Sequence, residues 1–244
     1  MNEDLDNIQF RHIEDYKYED MFIDVQPTDV ILDDVKRQEV VDILDERIAQ
    51  CVEGLNLIYG NLKSMQSEDS GFIYFNEPIH SFTFFTTQTT ADCLVAFKYF
   101  IVADTDYDRC FMRGKLKVIL NEGFKKLYGF NNDNKKNSEW RKLNNIINHF
   151  PEKIQQQYQK LTDILEEQAN KSSWWKEERN IETHIDTIKL YESRQESINE
   201  CKVMLETFQL INALSAVDAF VTNLNACVVN YLLDKYKKGE LRVD

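Results

Sequence analysis

The sequence TTADCLVAFKYFIVAD, residues 89–104, is the stretch that most strongly indicates the fold. It begins with threonine, a residue that caps helices, and the residues that follow are apolar almost all the way round a helical wheel. A helix of this kind needs other elements to cover every side of it. We therefore expect these residues to form a central helix with other helices packed around it.

The composition also favours helices. The 244-residue chain is 43% apolar and 29% charged, which is ordinary for a globular protein with one sizeable core. It contains only 7 Gly and 3 Pro, whereas a compact β protein needs many tight turns built from these residues. The sequence predicts an all-α fold, a bundle of long helices joined by short loops.

Cysteine usage and the apolar pattern predict a cytoplasmic location. The five cysteines are odd in number and contain no C-x-x-C pair, which argues against a disulfide framework and a zinc site. The N-terminal MNEDLDNIQF is acidic, whereas a signal peptide is basic and then apolar. The densest apolar run, 93–103, is short and interrupted by Lys98, so we expect no membrane span.

Caps and breakers divide the chain into predicted elements. Residues 1–27 are rich in Asp and Glu and predict an extended arm. FIYFNEPIHSFTFF, 72–85, predicts either a small hairpin or a buried loop. The predicted helices cover about 29–65 (capped by Thr28 or Asp29), 89–104, 107–127, 139–169 (kinked or restarted at Pro151), 174–194 and 198–238 (stopped by Gly239). We expect residues 1–88, with the acidic arm, one long helix and the aromatic loop, to pack on a helical domain of residues 89–244.

The segment SSWWKEERNIETHID, 172–186, opens the predicted 174–194 helix. Successive helix residues rotate by about 100°, so four apolar side chains gather on one face and predict the core side. They are Trp174, Ile181, Ile185 and Ile188. A polar stripe follows the edge of that face, made of Asn180, His184, Thr187 and Tyr191. Such a stripe faces a partner subunit, a buried network or a substrate.

Arg179, Asn180 and His184 also carry a resemblance to a known family. An Arg followed by a polar residue, with a His after four to six intervening residues, resembles the signature of the HEPN superfamily of small helical ribonucleases and nucleotide-binding domains. The resemblance covers residues 89–238. It implies a homodimer in which two motif helices meet in a cleft, with RNA as the substrate. It further implies a bacterial defence or toxin–antitoxin setting, with an antitoxin or regulatory protein as a further partner.

The chemistry implied by this resemblance uses no cofactor and no metal. The 2′-hydroxyl of RNA attacks the adjacent phosphate, and His184 acts as base or acid because histidine titrates near neutrality. Arg179 stabilises the phosphate charge with its planar set of donors, and Asn180 orients either group or binds the ribose. The products are a 2′,3′-cyclic phosphate and a 5′-hydroxyl. A non-catalytic helical binding or regulatory module is the alternative function.

Three further residues are candidates for support, each with a structural alternative. Thr187 belongs to the polar stripe, Tyr191 assists at the site or caps the core, and Glu122 contacts the motif arginine or pairs with Lys125 or Lys126.

The charge of the chain is uneven. Residues 1–70 hold 18 acidic and 6 basic side chains within a total net charge of −13, whereas residues 107–142 hold 10 basic and 4 acidic ones. The basic segment predicts a track for an RNA backbone, although solvation of ordinary helix faces explains the same pattern.

Overall fold

The computed structural model describes residues 33–65, 71–128, 138–171, 180–183, 187–195 and 200–239. Among these residues every regular element is an α-helix, which confirms the expected all-α bundle. The helices are α1 (Asp34–Met65), α2 (Gly71–Ile101), α3 (Asp106–Tyr128), α4 (Glu139–Lys142), α5 (Asn144–Ile147), α6 (Glu152–Lys171), α7 (Thr187–Gln195) and α8 (Glu200–Lys237). Residues 180–183 are also helical.

Helix α2 is the centre of the bundle, and it is longer than the sequence indicated. It packs against α1, α3, α4 and α8. The hairpin or buried loop predicted at 72–85 is wrong, and so is the helix start predicted at Thr89, because one helix runs from Gly71 to Ile101. The buried residues Ile79, Phe82 and Thr86 continue the helical spacing that leads to Cys93 and Phe97. The division at residue 88 stays a prediction, and the residues on both sides of it lie in α2.

Both ends of the described chain show clear helix signals. Helix α1 is capped by Asp33, whose carboxylate accepts hydrogen bonds from the amides of Val35 (2.9 Å) and Lys36 (3.2 Å). The cap predicted at Thr28 or Asp29 is therefore wrong for this helix. At the other end, the predicted stop at Gly239 is confirmed, since this glycine has φ 70° and its amide bonds the Tyr236 carbonyl at 2.9 Å.

The predicted 139–169 segment forms two short helices and one longer one. Ser138 caps α4 by accepting a hydrogen bond from the Arg141 amide. Pro151 immediately precedes α6, and its carbonyl accepts the amide of Ile154 at 2.9 Å. The predicted restart at Pro151 is thereby confirmed, because a proline at a helix start sacrifices no internal hydrogen bond.

Trp140 of α4 fills the space between three longer helices. It is 1% exposed, its ring stacks on Tyr158 of α6 at 4.7 Å, and it also contacts Phe82 of α2 and Phe220 of α8. The indole N–H donates to the Thr162 hydroxyl at 2.8 Å, so the buried donor is satisfied. This aromatic cluster fixes α4 against α2, α6 and α8.

One helix among the described residues, Lys202–Lys237 within α8, is apolar and long enough to cross a membrane by length and composition alone. A core helix passes the same test, so the evidence is weak. Val217, Phe220 and Leu224 of this helix are buried in the core shared with the rest of the bundle. The absence of a membrane span stays a prediction.

Candidate functional site

The predicted site residues fall partly outside the described chain. Arg179 and His184, the two residues that carry the HEPN resemblance, lie outside it, as do Trp174 and Ile185. Asn180 belongs to the helical residues 180–183 and is half-buried. The roles assigned to the motif residues therefore stay predictions, and the described residues on both sides of position 184 define their setting.

Helix α7 does not face the core in the way that its sequence indicated. Ile188, expected on the core side, is 71% exposed, and Tyr191, a candidate core cap, is 63% exposed. The predicted position of Ile188 is wrong because a different face of α7 lies against α3. That face carries the half-buried Leu190 and Ser193 and the fully buried Arg194. Thr187 is exposed together with Ile188 and Tyr191.

Arg194 is buried because it pairs with Glu182, a residue between Arg179 and His184 in the sequence. Its Nη1 and Nη2 donate to Glu182 Oε1 at 2.5 Å and to Oε2 at 2.6 Å, which makes the contact bidentate. The side chains of Arg194 and Glu182 are 4% and 5% exposed. The pair joins the helical residues 180–183 to α7.

Helix α3 provides the surface on which this pair rests. The Cys110 carbonyl accepts a second hydrogen bond from Arg194 Nη1 at 3.0 Å, and the guanidinium lies 5.4 Å from the centroid of the Phe111 ring. Gly114 lies directly under the Glu182 carboxylate. A side-chain carbon at this glycine would stand 2.6 Å from Oε2 and nearer still to Oε1 and Cδ, so any larger residue here requires the Glu182 carboxylate to move.

A second contact holds α7 to the same helix. Arg113, beside Gly114, donates from Nη2 to the Ser193 carbonyl at 2.7 Å. Neither Glu182 nor Arg194 was among the predicted site residues. A glycine in the interior of α3 was the available signal.

Glu122, a candidate contact for the motif arginine, lies on α3 two turns beyond Gly114. Its Oε1 is 3.8 Å from the Lys125 Nζ, which is the local pairing given as the alternative in the sequence. The contact with Arg179 is untested because Arg179 lies outside the described residues.

The basic segment 107–142 does not present all of its charges to solvent. Lys117 is buried against Glu206 of α8, with side-chain exposures of 9% and 5%. Arg113 contacts α7, and Arg141 and Lys142 pair with Glu166 and Glu139. Four of the ten basic side chains that predicted an RNA track are thus engaged within the described chain. A track here would rest on fewer cations than the sequence count implies.

A carboxyl group at the interface of α1, α2 and α8 has a perturbed protonation equilibrium. Burial raises the pKa of Asp218, and the hydrogen bond that its Oδ1 accepts from the Thr86 hydroxyl at 3.0 Å partly opposes that rise. Burial also raises the pKa of the Cys51 thiol, with the nearby Asp218 charge adding to the effect. A thiol with a raised pKa is a poor nucleophile, which argues against nucleophilic chemistry at Cys51.

Over the ranges that the structure describes, no three His, Cys, Asp or Glu side chains gather in a way that could hold a metal ion. The expectation of a metal-independent site stays a prediction, since two of its three residues lie outside those ranges.

Comparisons of this chain with protein-family models, with curated proteins and with solved structures find no match. The described residues form an all-α helical bundle in which residues 180–183 are anchored on α3 by the buried Glu182–Arg194 pair.

Proposed function

We propose that this protein is a metal-independent endoribonuclease of the HEPN type. The observation that carries the proposal is the Arg179-Asn180-x3-His184 spacing in the sequence of an all-α bundle. The anchoring of residues 180–183 on α3 supports it, because a catalytic segment needs a rigid base while its reactive side chains stay accessible. Asn180 is half-buried and Thr183 is exposed, so part of this segment remains at the surface.

The proposed reaction is cleavage of RNA through attack by its own 2′-hydroxyl. His184 removes the hydroxyl proton or protonates the leaving 5′-oxygen, and Arg179 stabilises the charge on the pentavalent phosphate. Asn180 orients one of these groups. The reaction requires no redox step and no activated water, and it needs no cofactor. We propose a cytoplasmic enzyme without a membrane partner, acting in bacterial defence or as a toxin restrained by an antitoxin or another regulatory protein.

A homodimer is part of this proposal. Thr187, Ile188 and Tyr191 form an exposed face of α7 that contains two large apolar side chains. A symmetric contact through this face would cover Ile188 and Tyr191 with the same residues of a second copy. It would also bring two motif segments together, as the family resemblance implies.

The alternative is a non-catalytic helical binding or regulatory module. It is favoured by the pairing of Lys117, Arg141 and Lys142 with Glu206, Glu166 and Glu139, since these contacts reduce the charge available to an RNA backbone. In this alternative the exposed face of α7 binds a protein and the motif residues have no catalytic role.

A cleavage assay on single-stranded RNA distinguishes the two functions. Replacing His184 or Arg179 by Ala should lower the cleavage rate about 100- to 10,000-fold, which is the usual contribution of a general acid–base or charge-stabilising group. His149→Ala, in the connection between α5 and α6, and Arg47→Ala, in α1, are matched controls at exposed positions. Both variants should cleave normally. EDTA should leave the wild-type rate unchanged.

The products provide an independent check. Cleavage should leave a 2′,3′-cyclic phosphate and a 5′-hydroxyl, which a kinase-labelling assay detects. Abolition of cleavage by EDTA, or normal cleavage by the His184→Ala protein, would refute the mechanism. A wild-type protein that binds RNA without cutting it would favour the binding module.

A further inference from the structure

The buried pair between Glu182 and Arg194 has an unusual position relative to the candidate motif. Glu182 stands three residues after Arg179 and two before His184 in the sequence. Its carboxylate points to α3 and is 5% exposed, so it is turned away from any substrate in solvent. Both of its oxygens are engaged by Arg194. This arrangement fixes the rotation of residues 180–183 about their own axis relative to α3.

The contacts around the pair restrict its position further. Arg194 Nη1 uses its second hydrogen on the Cys110 carbonyl, and the guanidinium rests near the Phe111 ring. The Glu182 carboxylate occupies the space where any residue other than glycine would have its Cβ at position 114. A shift of residues 180–183 along α3 by one helix position would separate Glu182 from Gly114 and bring the carboxylate against a side chain.

A buried ion pair is a poor source of stability but an effective determinant of register. Its mutual attraction is offset by the removal of two charges from water, whereas any arrangement that separates the partners leaves an uncompensated buried charge. An apolar contact of the same size would tolerate small rotations. The pair therefore favours one orientation of residues 180–183 relative to α3.

We infer that Glu182 and Arg194, seated over Gly114, are positioning residues that fix residues 180–183, which adjoin Arg179 and His184 in the sequence, on α3 in one register. The inference rests on the proposed function for its catalytic part, while the anchoring itself is independent of any activity. Neither side chain touches substrate. Both act through the backbone that carries Arg179 and His184.

The chain offers a matched control on the same helix. Lys117 of α3 and Glu206 of α8 form a second buried pair, one helix turn beyond the level of Gly114. That pair joins α3 to α8, and neither of its residues belongs to the helical residues 180–183 or to α7. Glu206→Gln and Glu182→Gln thus make the same chemical change in similarly buried pairs, and only the second lies in the motif.

The first measurement is amide hydrogen exchange on the full-length protein without RNA. Glu182→Gln should raise exchange across residues 180–195 with little change in α8. Glu206→Gln should instead raise exchange around Lys117 on α3 and around position 206 on α8. Equal exchange at 180–195 in the wild-type and Glu182→Gln proteins would overturn the anchoring.

The second measurement is single-turnover RNA cleavage at a temperature where all three proteins are folded. Glu182→Gln should lower the maximal rate about 100-fold, since a misplacement of roughly 1 Å has this effect, with an apparent affinity for RNA within about two-fold of wild type. Glu206→Gln should cleave at the wild-type rate. A Glu182→Gln protein with raised exchange and an unchanged rate would overturn the positioning role. If the wild-type protein cleaves no RNA, the proposed function fails, and the exchange data alone decide whether the anchoring is correct.

Discussion

Replacing Gly114 by Ala adds a single carbon atom beneath Glu182 and tests how tightly residues 180–183 pack on α3. The new Cβ would stand 2.6 Å from Glu182 Oε2 and closer to the other carboxylate atoms. A carboxylate is the far end of a flexible side chain and would normally move aside. Here it is held by two hydrogen bonds from Arg194 and enclosed on all sides, so the movement disrupts the pair.

Two opposing effects determine the size of the change. Alanine favours a helix over glycine by about 1 kcal/mol, which would stabilise the variant. To restore ordinary van der Waals contact the carboxylate must retreat by more than about 1 Å, which lengthens both bonds to Arg194. Breaking a buried pair costs about 3–5 kcal/mol because it leaves a buried charge without its partner. We expect a net loss of about 2–4 kcal/mol, or about 5–15 °C in melting temperature for a chain of this size.

Thermal and urea denaturation followed by circular dichroism measure this loss. Gly60→Ala is the control, because a Cβ at Gly60 of α1 has nothing within 4 Å. It should raise the free energy of unfolding by up to about 1 kcal/mol through helix propensity alone. A Gly114→Ala protein as stable as wild type, beside a stabilised Gly60→Ala protein, would show that the carboxylate is not confined and that the reasoning is wrong.

Three further predictions concern the oligomer, a buried carboxyl and the core. Thr187→Arg should convert the proposed dimer to monomer in light scattering at micromolar concentration, because two like charges would meet near the twofold axis; a wild-type monomer would rule out the dimer. The raised pKa of Asp218 means that its contribution to stability is complete below its unfolded-state pKa and lost as pH rises through the folded-state pKa. Asp218→Asn, whose amide oxygen still accepts the Thr86 hydroxyl, should therefore be more stable than wild type in urea at pH 7, with the gain shrinking toward pH 4. Leu120→Ala, at a position with no exposed surface, should cost about 2–5 kcal/mol in the same assay; a smaller loss would indicate a core that collapses around the missing side chain.

Residue patterns predicted the helical class well because helix signals are local. Gly239 ends its helix and Pro151 starts one, and each signal concerns only the adjacent one or two turns. The low glycine content favours helices throughout the chain. The aromatic run at 72–85 was misread for a related reason. Aromatic residues favour strands, and Pro78 reads as a breaker, but the burial of Phe82 against Trp140 and Phe85 decides the conformation. The contact between Phe82 and Trp140 joins residues distant in sequence and cannot be read from the run itself.

The inward face of α7 was misassigned because sequence periodicity assumes that apolar residues point to the core. Periodicity predicts Ile188 on this face and does not predict Arg194 there. An arginine can occupy a core position only when a carboxylate and enough space are provided, and here Glu182 and Gly114 provide them. Three residues from three parts of the chain had to be considered together. A hydrophobic pattern, which considers one helix at a time, does not predict that Glu182 and Gly114 together allow Arg194 to be buried.

The packing of Trp140 gives the bundle its own optical reporter. Its indole touches rings from α2, α6 and α8, so it senses four helices including its own. The two other tryptophans, Trp174 and Trp175, stand five and four residues before Arg179 in the sequence. A chain with both replaced by Phe has a single emitter, whose fluorescence is blue-shifted while the rings enclose it. The red shift on unfolding would then register the separation of any of these helices from the others, and partial opening of the bundle would become visible without a label.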